Sequence, residues 1–197
     1  MQPYEINHDR QEWVYTLFNN NENLLLDWER RSGKSVYSVT CILDYALDRP
    51  STNHLIAGHD DGTDRLLLQK MIMCNFDRIT PLVEKTLQNK IFLKNQSVIY
   101  FGSKSVKKDI KLNTLLIDEL GEFNEYKNNF FHVLYHNKGA KLLINCTDFM
   151  CSSFNSTRKL FSKYQIPLYT DYYKTDKELS LYLRKKKIEK IKTIILK

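Results

Sequence analysis

Apolar residues along this chain fall into short aliphatic runs, separated by longer windows in which they recur at helical spacing. That is the pattern of an α/β fold with helices layered on a mostly parallel sheet. Asn23 to Trp28 (NLLLDW) predicts a buried first strand. Lys34 to Leu47 predicts a helix with its apolar positions on one face, ended by Pro50. His54 to Gly58 predicts a second short strand, followed over Gly62 to Phe76 by a helix whose stripe is Leu66, Leu67, Met71 and Ile72. Lys90 to Phe101 reads as a hairpin of two strands turning near Asn95 and Gln96, an antiparallel insertion in the α/β order. Thr114 to Ile117 (TLLI) is a nearly continuous apolar run, as expected of a strand covered on both faces, and it leads into Asp118 and Glu119. Beyond it the pattern predicts a helix over Asn124 to Asn137 and a buried strand over Lys141 to Cys146. A helix over Asn155 to Tyr164, an extended segment over Pro167 to Tyr172 and a helix over Asp176 to Lys190 follow.

Length and composition narrow the picture. The 197 residues suit one domain, and 42% hydrophobic with 27% charged residues excludes a disordered or fibrous chain. The expected organisation is a single domain over 1–197, with 175–197 as a basic C-terminal helix or tail. Lys and Arg number 30 against 23 Asp and Glu, a net charge of +7 that favours polyanionic partners such as nucleic acid or nucleotides. Cys41, Cys74, Cys146 and Cys151 are scattered without metal-site spacing and are expected as buried thiols of a reducing compartment. Neither a secretory leader nor an apolar stretch of about 20 residues is present, so an unsecreted protein with no membrane span is expected.

Candidate chemistry concentrates in ERRSGKS, residues 29–35, between a predicted strand and a predicted helix. Gly33-Lys34-Ser35 is the second half of a phosphate-binding P-loop, with Trp28 at the place of the usual first glycine. Backbone N–H groups at such a turn receive phosphate, the lysine ammonium neutralises the β- and γ-phosphates, and the serine hydroxyl coordinates Mg²⁺. Gly33 lets the backbone approach the phosphates where a Cβ would obstruct it. The complementary requirement is an acidic pair at the end of a buried strand, which LLIDE supplies. Asp118 is the candidate Mg²⁺ ligand, and Glu119 is the candidate base that orients or deprotonates the attacking water.

Arg30 ahead of Gly33-Lys34-Ser35, in a loop lacking its first glycine, resembles the deviant phosphate loop of the large terminase subunits. These are the ATPases that package DNA into viral capsids. KIFLKNQSVIYFGS (90–103), a basic loop and LLIDELGEF (115–123) are similar to the hairpin, loop and acidic strand of that family, and the resemblance covers most of the chain. It implies a terminase- or RecA-like P-loop ATPase core that binds ATP and Mg²⁺. By the same resemblance Gln11 would read adenine, and Arg31, Ser32, Gly33, Lys34 and Ser35 would hold the nucleotide. Arg30, more than Arg31, would act as the arginine finger. Asn145 and Thr147 in KLLINCT match the family's coupling motif and would sense the γ-phosphate, although Asp148 stands where the family often has proline. Implied partners are double-stranded DNA, a viral portal and other packaging subunits. A homo-oligomeric ring and a location in the cytoplasm or nucleus of an infected host cell are implied with them. The family's usual nuclease domain is not expected in the 50 residues after Thr147, where Asp148, Asp171 and Asp176 lack the strand-end clustering such a site needs.

Other features are weaker. Lys104, Lys107, Lys108 and Lys111 crowd the loop before the acidic strand as candidate phosphate-backbone contacts. His132 and His136 share a helical face without a metalloprotease motif. Alternative readings are a helicase-like ATPase or a nucleotide- or DNA-binding structural domain with a degenerate P-loop. A small-molecule kinase is disfavoured because Arg158 is the one arginine between the acidic strand and the C-terminal helix.

Overall fold

The computed structural model describes residues 8–20, 23–58, 60–102, 110–120, 137, 139–147, 158–159, 161–162, 166–172 and 178. Its strands are β1 (Asn23–Asp27), β2 (Asn53–Ala57), β3 (Val83–Leu87), β4 (Lys90–Leu93), β5 (Val98–Phe101), β6 (Thr114–Ile117), β7 (Lys141–Cys146) and β8 (Tyr169–Tyr172). The helices are α1 (His8–Asn20), α2 (Lys34–Asp48), α3 (Asp61–Cys74) and the short α4 (Phe76–Ile79). All eight strands join one sheet in the order β3-β4-β5-β2-β6-β7-β1-β8. From β5 to β8 the neighbours are parallel, while β3 and β4 add an antiparallel edge.

Side chains of the central strands alternate between two cores, which is why their runs are apolar throughout. Leu24, Leu26, Ile56, Leu116 and Leu143 share one core with α1, α2 and α3, through residues such as Val14, Phe18, Val39, Ile42, Leu67 and Met71. Leu25, Leu55, Leu115, Ile117, Leu142 and Ile144 line the other, with Leu112, Leu120 and Phe161. Parallel order sends the C-terminal ends of β1, β6 and β7 to a single edge of the sheet, where ligands of open α/β folds bind. β7 lies between β1 and β6. The turn after β1 and the carboxylates after β6 are therefore two strand spacings apart, about 10 Å, with the end of β7 between them.

Most predicted elements appear within a residue or two of their expected bounds, and the differences have physical causes. Leu66 is 54% exposed and Leu68 is buried in its place, so the inward stripe of α3 is Leu67, Leu68 and Met71. β3 carries no sequence signal because its residues after Val83 are exposed and leave no apolar alternation. α1 precedes the first element expected from the sequence and contains Gln11. Cys41 and Cys146 are buried as expected, but Cys74 is only half-buried. Residues 158–159 and 161–162 are helical within the segment predicted so. The predicted helices over 124–137 and 176–190 lie outside the described residues except at Asn137 and Glu178, as do His132, His136, Lys104, Lys107, Lys108 and Cys151. Among the described residues no helix is long and apolar enough to cross a membrane.

His54 is fully buried between β5 and β6, its ring nitrogens 2.7 Å from Thr52 Oγ1 and 2.8 Å from Thr114 Oγ1. Burial, and then the nearby Arg49 charge, lower its pKa from 6.5 to about 3. A base whose pKa is depressed by folding stabilises the native state fully above 6.5, and that contribution is lost as pH falls toward about 3, because the unfolded chain takes up the proton first. We expect this group to remove about 1.4 kcal/mol of stability per pH unit over that window. Urea unfolding of the parent and of His54→Gln at neutral and mildly acidic pH measures it. Identical pH dependence in the two proteins would contradict the assignment.

Candidate nucleotide-binding site

At the end of β1 the ladder continues one residue, with the Trp28 N–H donating to the Cys146 carbonyl at 3.2 Å. The chain then turns through residues 29–33 into α2. Arg31 and Gly33 both adopt positive φ, 65° and 84°. Gly33 is the N-cap residue of α2, and a Cβ on it would lie 3.0 Å from the Tyr37 ring. Glycine is thus required by the turn's own packing as well as by anything that docks on it. The first amides of α2 have no acceptor within the helix and face this turn, as helix N-termini that receive anions do.

Lys34 is 3% exposed, and its Nζ donates to the carbonyls of Trp28 and Glu29 at 3.3 and 3.4 Å and to Thr147 Oγ1 at 3.0 Å. It also pairs with Glu119 Oε1 at 3.3 Å. Thr147 in turn donates to the Trp28 carbonyl at 3.1 Å. One residue on, the Ser35 hydroxyl lies 2.8 and 2.9 Å from the two carboxylate oxygens of Asp118. Asp118 is buried and accepts from Asn145 Nδ2 at 2.6 Å, while Ser38 Oγ donates to the other end of that amide at 2.7 Å. Burial raises the Asp118 pKa, and the hydrogen bonds from Asn145 and Ser35 and the Lys70 charge oppose it. Glu119 adopts the left-handed conformation, φ 57°, uncommon for a residue with a side chain and often kept where position matters.

The structure therefore brings together Gly33, Lys34, Ser35, Asp118, Glu119 and Thr147. Arg30 and Arg31 are exposed at the rim of the turn. Ser32 Oγ is buried with no hydrogen-bond partner among the described residues, a polar atom of the cradle left unpaired. Gln11 is not brought to the turn. Its Nε2 donates to Asp44 at 3.2 Å, and Asp44 is ten residues along α2 from Lys34, an axial rise of about 15 Å. The Ser38–Asn145–Asp118 chain is only half legible in the sequence. Asn145 stands in a recognisable motif, whereas Ser38 shows no signal beyond its place one turn after Ser35.

The hydroxyl of Ser35 and the carboxylate of Asp118 form the all-oxygen donor set that suits Mg²⁺. Among the described residues no group of three metal-ligating side chains exists. A metal held here would take the rest of its shell from water and phosphate, which is how Mg²⁺ is commonly bound.

The order of strands and the position of this site can be set beside solved structures. The large terminase of a thermophilic bacteriophage, solved in complex with ADP, matches 87% of this chain at 21% identity, TM-score 0.61, and 46% of its own length is covered. A mutant of the ATPase domain of the Thermus phage P74-26 large terminase matches 96% of this chain at 14% identity, TM-score 0.54, with 92% of that domain covered. The chain has the fold of a large terminase ATPase domain. It spans less than half of the ADP-bound terminase chain and nearly all of the separate P74-26 domain. Dbp5 of S. cerevisiae, solved with Nup159, Gle1 and ADP, matches 84% of this chain at 14% identity and TM-score 0.61, with 48% of that chain covered. No protein-family model and no curated protein sequence matches the chain.

A left-handed conformation costs a residue with a Cβ about 1–2 kcal/mol. Gly33→Ala is expected to lower the thermal midpoint by about 2–6 °C, measured by scanning calorimetry. An unchanged midpoint would show that the turn relaxes freely around Tyr37.

Proposed function

We propose that this chain is a Mg²⁺-dependent ATPase motor domain that translocates double-stranded DNA, as in viral packaging. The observation that carries the reading is the convergence of Lys34 and Ser35 with Asp118, Glu119 and Thr147. These residues come from three neighbouring strand ends, and each bears the chemistry that phosphoryl transfer to water requires. The likeness to a terminase solved with ADP supports nucleotide binding by this fold.

In this scheme the amides of the turn and the Lys34 ammonium receive the β- and γ-phosphates. To do so Lys34 exchanges the oxygens of Thr147 and Glu119 for phosphate oxygens. That exchange also releases the Glu119 carboxylate to hold and deprotonate a water in line with the γ-phosphate. Ser35 and Asp118 would hold Mg²⁺, which neutralises charge on the phosphate oxygens. Asn145 keeps Asp118 oriented, and Thr147 reports the position of Lys34 to β7. Arg30, exposed at the rim, would act as the arginine finger on its own nucleotide or on that of an adjacent copy. Arg31 and Ser32 complete the cradle. The partners proposed with this activity are duplex DNA and a portal-bound ring of copies in an infected cell.

The Dbp5 likeness favours one second reading, a nucleic-acid-dependent ATPase that acts on separated strands. Steady-state ATP hydrolysis distinguishes the two. We expect turnover to be stimulated more by duplex than by single-stranded DNA, to vanish in Lys34→Ala, and to fall by about 10²–10⁴ in kcat for Glu119→Gln with little change in KM. No turnover by the parent with Mg²⁺ and DNA present would end the catalytic reading. Stronger stimulation by single strands would favour the second.

A further inference from the structure

The least ordinary residue of the turn is Trp28, which stands where a P-loop normally has glycine. Its indole is 2% exposed, and the Nε1–H donates to Asp171 Oδ2 of β8 at 3.2 Å. Asp171 is itself 3% exposed. The guanidinium of Arg10, on α1 and equally buried, lies 5.3 Å from the indole centroid. Tyr37 meets the same ring edge-on at a centroid distance of 6.1 Å, and Tyr37 is also the side chain that crowds Gly33. The carbonyl of this one residue accepts from both Lys34 and Thr147. Trp28 is thus tied on its side-chain end to α1 and β8, and on its backbone end to the lysine and the hydroxyl of the site.

We propose that Asp171 is a positioning residue of the phosphate-binding turn, acting through the Trp28 indole, so that β8 and α1 set the height of the Trp28 carbonyl and with it the resting place of the Lys34 ammonium. The inference rests on the ATPase reading and adds to it a residue that the P-loop pattern does not contain. A glycine at this place has no side chain with which to anchor the loop. Here a buried aromatic–carboxylate bond takes over that task, and hydrogen bonds to carboxylates are among the stronger ones in proteins.

Trp13 is the other tryptophan of the chain, so Trp13→Phe supplies a parent in which Trp28 is the sole indole emitter. Isothermal titration with Mg·ADP and Mg·ATPγS is measured for this parent and for Asp171→Ala, Asp171→Asn, Trp28→Phe and the Asp171→Ala/Trp28→Phe double variant, and indole emission for those that keep Trp28. We expect Trp28 emission to change on nucleotide binding. Nucleotide affinity is expected to fall about tenfold in Asp171→Ala and in Trp28→Phe, and no further in the double variant, because both changes break the same bond. Asp171→Asn, which keeps an acceptor for the indole, should restore most of the affinity. If Asp171→Ala does not fold, Trp28→Phe decides by itself. Parent-like affinity in Trp28→Phe, or losses that multiply in the double variant, would overturn the proposal while leaving the ATPase reading intact. A parent that binds no nucleotide by titration would overturn both.

Discussion

A lysine ammonium withdrawn from water is the constraint around which this molecule is arranged. Lys34 carries a charge into the interior at 3% exposure, and an isolated charge there would cost far more than the fold can supply. Two carbonyls at the end of β1, a hydroxyl at the end of β7 and a carboxylate after β6 share it. These oxygens are separate in sequence, and only a sheet that interposes β7 between β1 and β6 delivers them to one point. Strand order is here a chemical requirement as much as a topological one.

The same edge holds a second arrangement of the opposite sign. Asp118 is buried and would be disfavoured as an anion, yet Ser35 and Asn145 both donate to it, and Ser38 fixes the Asn145 amide. The two arrangements share elements. Lys34 and Ser35 are consecutive on α2, while Asn145 lies in β7 and Thr147 directly follows it. A movement of α2 against β7 cannot alter one arrangement without the other. In the motor proposed above, that is a route by which occupancy at the turn reaches the sheet.

Much of this is readable in advance, because the runs that form β1, β2, β6 and β7 are covered on both faces and must be apolar. The residues where three of them stop, Trp28, Asp118 and Thr147, mark the edge that carries the candidate site. What escapes is governed by packing that periodicity does not encode. β3 has almost no buried side chain to signal it. Leu66 and Leu68 lie on opposite sides of Leu67, either of which could widen the stripe, and the packing of α3 against α2, β2 and β5 covers Leu68. The partner of Gln11 is equally hidden, because only the docking of α1 on α2 brings its amide to Asp44. Asp171 enters the sequence reading only as one of three scattered carboxylates, and the sheet pairing of β8 with β1 brings it to the indole.

The tryptophan in the turn has a further consequence. Its ring sits against Arg10 of α1, Tyr37 of α2 and Asp171 of β8, so exchanging it for the glycine of an ordinary P-loop would not normalise the loop. It would open a void of indole size, at a cost of the order of 3–5 kcal/mol for a buried aromatic. The two kinds of phosphate loop are therefore separate solutions with different surroundings, and a lineage passing from one to the other would have to rebuild all three surrounding elements at the same time as the loop.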